Sequence, residues 1–156
     1  MTSKVLPPHN IEGAIVNVLI TEYLRINLTT EKWECRACSH EIGSARENYK
    51  HGLLVHNRDP REVHKPLLDP SKYERTFSPN PDWCRILEFY CPSCGTLVEA
   101  EYLPPGHPPT HDIELDIDAL KEQWKDREEV KEPPVGAEPV RRVHHHHHDH
   151  DHGHPH

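Results

Sequence analysis

The sequence predicts an α+β, β-rich chain: a zinc-ribbon-like core of hairpins closed by a four-cysteine metal site, with one short C-terminal helix and extended arms. Three observations predict it. Two Cys-x-x-Cys pairs, Cys35-Arg36-Ala37-Cys38 and Cys91-Pro92-Ser93-Cys94, stand 52 residues apart. Each pair presents two thiolates on one side of a tight turn, and two such turns close the tetrahedral shell of a structural zinc site. The segments flanking the pairs alternate apolar and polar residues with the period of half-buried strands. Finally, Ile117, Leu120 and Trp124 fall at i, i+3 and i+7, the apolar stripe of a short helix that Asp116 or Asp118 can cap.

Composition limits the core. Of 156 residues only 34% are hydrophobic, with 16 prolines against two phenylalanines, and the mean hydropathy is −0.85. A metal tie worth about 10 kcal/mol or more on apparent scales offsets so small a core, and so does a larger partner to pack against. The formal charge of −8 argues against nucleic acid, whose phosphates need Lys/Arg clusters. No apolar run approaches the length of a membrane span and no signal peptide is visible, so a soluble cytoplasmic protein is expected.

In chain order, residues 1–10 carry Pro7-Pro8 and read as an N-terminal arm. Residues 11–130 read as the zinc-ribbon-like domain. Within it, Leu24, Ile26 and Leu28 alternate with Arg25 and Asn27 as a strand, whereas Ile11, Ile15, Val18 and Leu19 fit either a strand or a helical face. Thr29-Thr30-Glu31-Lys32 reads as a turn, and Trp33 and Cys35 resume a strand with the first cysteine pair at its tip. The stretch 39–50 is polar, and Leu53, Leu54 and Val55 form a short apolar patch. Prolines 60, 66, 70, 79 and 81 make 59–82 an extended connector, since proline excludes a long helix or central strand. Residues 83–90 predict a strand into the second pair, Gly95 gives the backbone freedom to turn there, and Leu97, Val98, Ala100 and Tyr102 predict the returning strand, ended by Pro104-Pro105-Gly106. Residues 131–156 read as a disordered tail holding nine of the 16 histidines. Imidazoles so dense bind Zn²⁺, Ni²⁺ or Cu²⁺ loosely, in no single geometry. Five histidines followed by Asp-His-Asp-His-Gly-His-Pro-His make an odd purification tag, and the run reads as a natural tail.

Cys35, Cys38, Cys91 and Cys94 are thus the candidate metal ligands, with His40 as a spare. Four thiolates leave no open coordination position, so the site is expected to be structural and the chain to carry no active site of its own. The fifth cysteine, Cys84, reads as a small buried hydrophobe beside Trp83 and Ile86, against the alternatives of a ligand or a nucleophile. Asp112, Glu114, Asp116 and Asp118 lack the glycine and terminal glutamate of a calcium loop and read as a solvated strand edge or a lead-in to the helix. From the residues alone, the chain is either a subunit completed by something larger or a free-standing zinc-ribbon module, such as a metallochaperone served by the histidine tail.

The ordered motifs Trp33-x-Cys35-x-x-Cys38-x-His40, Glu47-Asn48-Tyr49-Lys50, Pro81-x-Trp83, Glu88-Phe89-Tyr90-Cys91-Pro92-x-Cys94-Gly95-Thr96-Leu97 and Pro108-x-x-His111-Asp112 resemble the gamma subunit of acetone carboxylase. The likeness runs from about Tyr23 to Trp124. It implies a small, non-catalytic, zinc-containing subunit of an ATP-dependent ketone carboxylase of the acetone or acetophenone type, a ligase forming a C–C bond. It implies zinc on Cys35, Cys38, Cys91 and Cys94, and large hydantoinase-like partner subunits that hold ATP and a further metal.

Overall fold

The computed structural model describes residues 15–66, 69, 71–75, 77–127 and 131–136. The expected arm at 1–10, the first part of the ambiguous apolar stretch and the histidine run lie outside the described residues. Four strands, β1 (Asn17–Leu19), β2 (Leu24–Asn27), β3 (Lys32–Cys35) and β4 (Glu41–Ser44), form one antiparallel sheet in chain order. A second antiparallel sheet joins β5 (Leu54–Arg58), β6 (Arg85–Tyr90) and β7 (Leu97–Leu103), also in chain order. Between the sheets lies a 3₁₀ turn at Tyr49–Gly52. A four-residue helix, α1 (Pro60–Val63), follows β5, and α2 (Ile117–Trp124) follows β7.

The ambiguous segment is a strand where it is described. Val18 is buried while Ile15 and Leu19 on either side are exposed, which is the alternation of a sheet and not a helical stripe. Its ladder sets Val18 opposite Ile26. The β2–β3 ladder then pairs Ile26 with Trp33 and Leu24 with Cys35, so the apolar positions of both strands share one face. That face meets Leu87, Phe89 and Val98 of the second sheet, and Ile117 of α2 closes the same cluster. Trp33 and Phe89 are wholly buried, each worth about 1.5–3 kcal/mol or more of transfer free energy.

Several elements differ from expectation. The polar stretch 39–50 contains β4 and the 3₁₀ turn, because Ile42 is buried and β4 needs only β3 beside it. Gly52 is required where the 3₁₀ turn passes β4: a methyl group there would run into the Ile42 carbonyl oxygen. The apolar patch at 53–55 opens the strand β5, whose residues are all at least partly exposed and whose conformation comes from pairing with β6. In 59–82, α1 is the one described helix or strand; Asp59 caps it and Pro60 sits at its first position. Positions 67, 68, 70 and 76 of that connector lie outside the described residues. β6, β7 and α2 appear where the sequence places them, with Asp116 Oδ1 accepting from the Ala119 N–H at 2.9 Å as the cap. No described helix is long and apolar enough to cross a membrane.

Candidate metal centre

Each cysteine pair sits at the tip of a hairpin, the first between β3 and β4, the second between β6 and β7, and the two tips are built alike. Both hairpins shift register just before the first cysteine, at Trp33/Glu34 and at Phe89/Tyr90. Such a bulge bends the strand and re-aims the side chains that follow. The Cys35 N–H then donates to the His40 carbonyl at 2.9 Å, as the Cys91 N–H donates to Thr96 at 2.9 Å. Returning bonds run from Ser39 N–H to the Cys35 carbonyl at 2.7 Å and from Gly95 N–H to the Cys91 carbonyl at 2.9 Å. The residue after each second cysteine is left-handed, Ser39 at φ 59° and Gly95 at φ 73°. Gly95 tolerates this freely; Ser39 does not, and its hydroxyl compensates by accepting from Arg25 Nη2 at 3.0 Å.

The two tips face each other. Cys35 and Cys94 Sγ are 3.8 Å apart, Cys38 and Cys91 Sγ 3.7 Å, and all four sulfurs lie within 4.8 Å of one another. Zinc–thiolate bonds of about 2.3 Å give a tetrahedron with edges of about 3.8 Å, so the donor set fits a Zn²⁺-sized ion. Cys35 and Cys91 are buried in the core, and Cys38 and Cys94 face solvent. Burial pushes the Cys35 thiol up to about 12 and raises Cys91 also, whereas hydrogen bonds from the Thr96 side chain and backbone lower Cys94 to about 6. A cation at the centre of the four sulfurs supplies the charge that the two buried thiolates lack.

Around the first tip the chain returns from beyond α2. Arg36, between the two cysteines, donates from Nη2 to the Pro133 carbonyl at 2.6 Å, and its Nε lies 3.5 Å from the Glu132 carboxylate. Arg25 Nη1 reaches the same carboxylate at 3.3 Å. The start of the expected tail, 131–136, is therefore held on the metal-binding tip.

The sequence pattern of the acetone carboxylase gamma subunit family matches residues 14–125. The chain belongs to that family. It is 51% identical over 108 residues to the acetophenone carboxylase beta subunit of Aromatoleum aromaticum, covering 69% of this chain and 81% of that one. It is 33% identical over 96 residues to the acetone carboxylase gamma subunit of Xanthobacter autotrophicus, covering 61% of this chain and 54% of the relative, about half its length. The resemblance read from the ordered motifs is borne out, as is a β-rich fold around a four-cysteine cluster able to hold a metal ion.

A second cluster, which periodicity does not predict, gathers around Lys50. Lys50 is fully buried, with Nζ 2.5 Å from Glu101 and 2.9 Å from Asp112. The ammonium also donates to the Thr110 carbonyl at 3.1 Å and stands 5.5 Å from the ring centres of Tyr49 and Phe89. Tyr49 Oη donates to Asp112 at 3.2 Å, and Asn48 Nδ2 donates to the Thr110 carbonyl at 3.0 Å. Burial raises the Glu101 carboxyl, but Lys50 and Thr110 outweigh it and hold the pKa below the ordinary value. Burial, with Asp112 beside it, raises the Tyr49 phenol. The network ties Thr110 and Asp112 to the 3₁₀ turn and to β7. The one signal for it in the sequence is Glu47-Asn48-Tyr49-Lys50 together with His111-Asp112.

His40 stays outside the cysteine cluster and contributes its carbonyl to the tip. Cys84 also stays outside, and the expectation of full burial needs correction. It is half-buried beside Trp83, which is 81% exposed, because Asn80 turns the chain at 80–84 before β6 begins. Of the four acidic residues, Asp112 joins Lys50, Asp116 caps α2 and Asp118 pairs with Arg46 at 2.6 Å, so the helix lead-in is the reading that holds.

Proposed function

We propose that this chain is the small, non-catalytic zinc subunit of an ATP-dependent ketone carboxylase, stabilising the assembly of large catalytic subunits. The observation that carries the reading is the meeting of four sulfurs from two hairpin tips of different sheets, in a chain of this family. Cys35, Cys38, Cys91 and Cys94 hold the zinc. Bound there, the ion cross-links the two sheets and neutralises the thiolates. Its shell is filled by protein, so the centre serves structure, not turnover. ATP and a further metal belong to large hydantoinase-like partners. The higher identity to an acetophenone carboxylase subunit than to an acetone carboxylase one favours an aromatic ketone as the substrate of the complex.

Co-expression with the large subunits tests this directly. The expected outcome is a complex that carboxylates acetophenone in the presence of ATP and loses that activity when this chain is omitted. A chain that purifies alone as a stable monomer, with large subunits fully active without it, overturns the subunit reading in favour of a free-standing zinc module.

A further inference from the structure

The two hairpin tips are built alike but are not held alike. The second closes on its own residues: Gly95 takes the left-handed turn freely, and the Thr96 hydroxyl lies 3.2 Å from the Cys94 sulfur. The first has Ser39 at φ 59°, a conformation that a Cβ makes unfavourable. What steadies it comes from outside the hairpin. Arg25, on β2, gives Nη2 to the Ser39 hydroxyl at 3.0 Å while its Nε is fixed on Glu34 at 2.7 Å. Arg36, whose side chain is 5% exposed, donates from Nη1 to the carbonyls of Thr21 and Glu22 and from Nη2 to that of Pro133. Its Nε has no hydrogen-bond partner among the described residues and faces the Glu132 carboxylate at 3.5 Å. The same carboxylate meets Arg25 Nη1 at 3.3 Å. Glu132 thus joins the two arginines that hold Arg36 and Ser39 in place, and these two residues bracket Cys38.

We propose, on the reading that the four cysteines hold a metal ion, that Glu132 and Pro133 are positioning residues of that centre. Through Arg25 and Arg36 they keep the first cysteine pair in the geometry that binds the ion. Groups that orient metal ligands from behind change metal affinity about 10–100-fold when removed. Placement and charge predict opposite signs here. Four thiolates around one divalent ion carry net negative charge, which nearby guanidinium groups offset. Were the arginines acting by charge alone, Glu132 would oppose binding by neutralising them, and its loss would tighten the site. Acting by placement, its loss loosens the site, because Arg36 and Arg25 are freed together. The coupling also runs in reverse: a segment that favours the loaded tip is itself held more firmly when the ion is bound.

The test is titration of the reduced, metal-free full chain with cobalt(II). Cobalt held by four cysteines absorbs through thiolate charge transfer and cobalt held by imidazole does not, so the band reads this centre alone. Glu132→Gln is expected to weaken cobalt binding about tenfold and to alter the visible bands of the tetrahedral ion. Arg36→Lys keeps the charge but cannot span the Glu22 and Pro133 carbonyls, and it weakens binding likewise. The comparison is Arg46→Met. Arg46 also joins two carboxylates, Glu31 and Asp118, but at the open end of the β3–β4 hairpin, so its loss leaves cobalt affinity at the native value. In the native chain, loading with metal is expected to slow hydrogen exchange in 131–136, a readout that needs no variant to fold. Native or tighter affinity in Glu132→Gln overturns the proposal, as does an equal loss in Arg46→Met or exchange in 131–136 that metal leaves unchanged. A thiolate band absent from the native chain overturns the four-cysteine centre itself, and the proposal with it.

Discussion

Lys50 is the residue on which the interior charge balance turns. Its ammonium is buried between Glu101 and Asp112, and removing it strands two carboxylates. Breaking a buried pair costs about 3–5 kcal/mol; since Asp112 is partly solvated, Lys50→Met is expected to cost about 3, measured by urea unfolding of the metal-loaded chain. Glu101 sets a pH dependence. Its folded pKa lies below the ordinary 4.5, so its contribution is fully present above that pH and is lost as pH falls through the folded value. Glu101→Gln is therefore less stable than the native chain near neutrality, and the difference shrinks below about pH 4.5. The cysteines differ in kind. Cys91→Ser is expected to lose the tightly bound metal and the fold with it. Cys84→Ala keeps both, at about 1 kcal/mol; metal analysis and circular dichroism of the two variants separate them. The four ligand candidates were legible because Cys-x-x-Cys spacing is a local rule. Lys50 was not, because what buries it arrives 51 and 60 residues later in the chain, with Glu101 and Thr110.

At the scale of the element, the hairpin tips do most of the positioning. β3, β6, β7 and α2 could be read from the sequence since each carries its own apolar period. β4 and β5 could not: one buries little besides Ile42, the other has no residue fully buried, and both owe their shape to the neighbouring strand. The second tip's glycine was visible, but Ser39 at the matching place was not, since serine carries no sign of a left-handed backbone. The matched geometry predicts that Gly95→Ala, which puts a Cβ at φ 73°, costs about 1–2 kcal/mol and weakens metal retention, read by chelator competition. Gly52→Ala is expected to be as damaging for a different reason. Its methyl meets the Ile42 backbone, which cannot step aside without shifting β4, and overpacking of this kind costs about 1–3 kcal/mol. Thermal unfolding checks both, with metal content lowered in the first variant and kept in the second.

For the whole molecule, apolar surface is placed where an isolated domain gains nothing from it. Trp83 is 81% exposed and Phe77 89%, with Tyr73, Leu54, Val55 and Tyr102 also open to solvent. They lie in the connector, in the turn that follows it and on the three-stranded sheet. Sequence alone marked the connector through its prolines; which large side chains stay outside was not legible, because Trp83 follows a turn at Asn80 that no apolar period announces. Exposed aromatics of this size are the residue types that dominate binding energy at protein interfaces. If this surface meets the large carboxylase subunits, Trp83→Ala and Phe77→Ala each cost about 2 kcal/mol or more of association, about thirtyfold in affinity. Neither touches a ligand candidate, so the variants retain metal and fold. In the complex, 59–82 becomes resistant to proteolysis; in the free chain it is cut. Co-purification with the large subunits and limited proteolysis read the two effects. Variants that assemble at native affinity show that the subunits meet elsewhere.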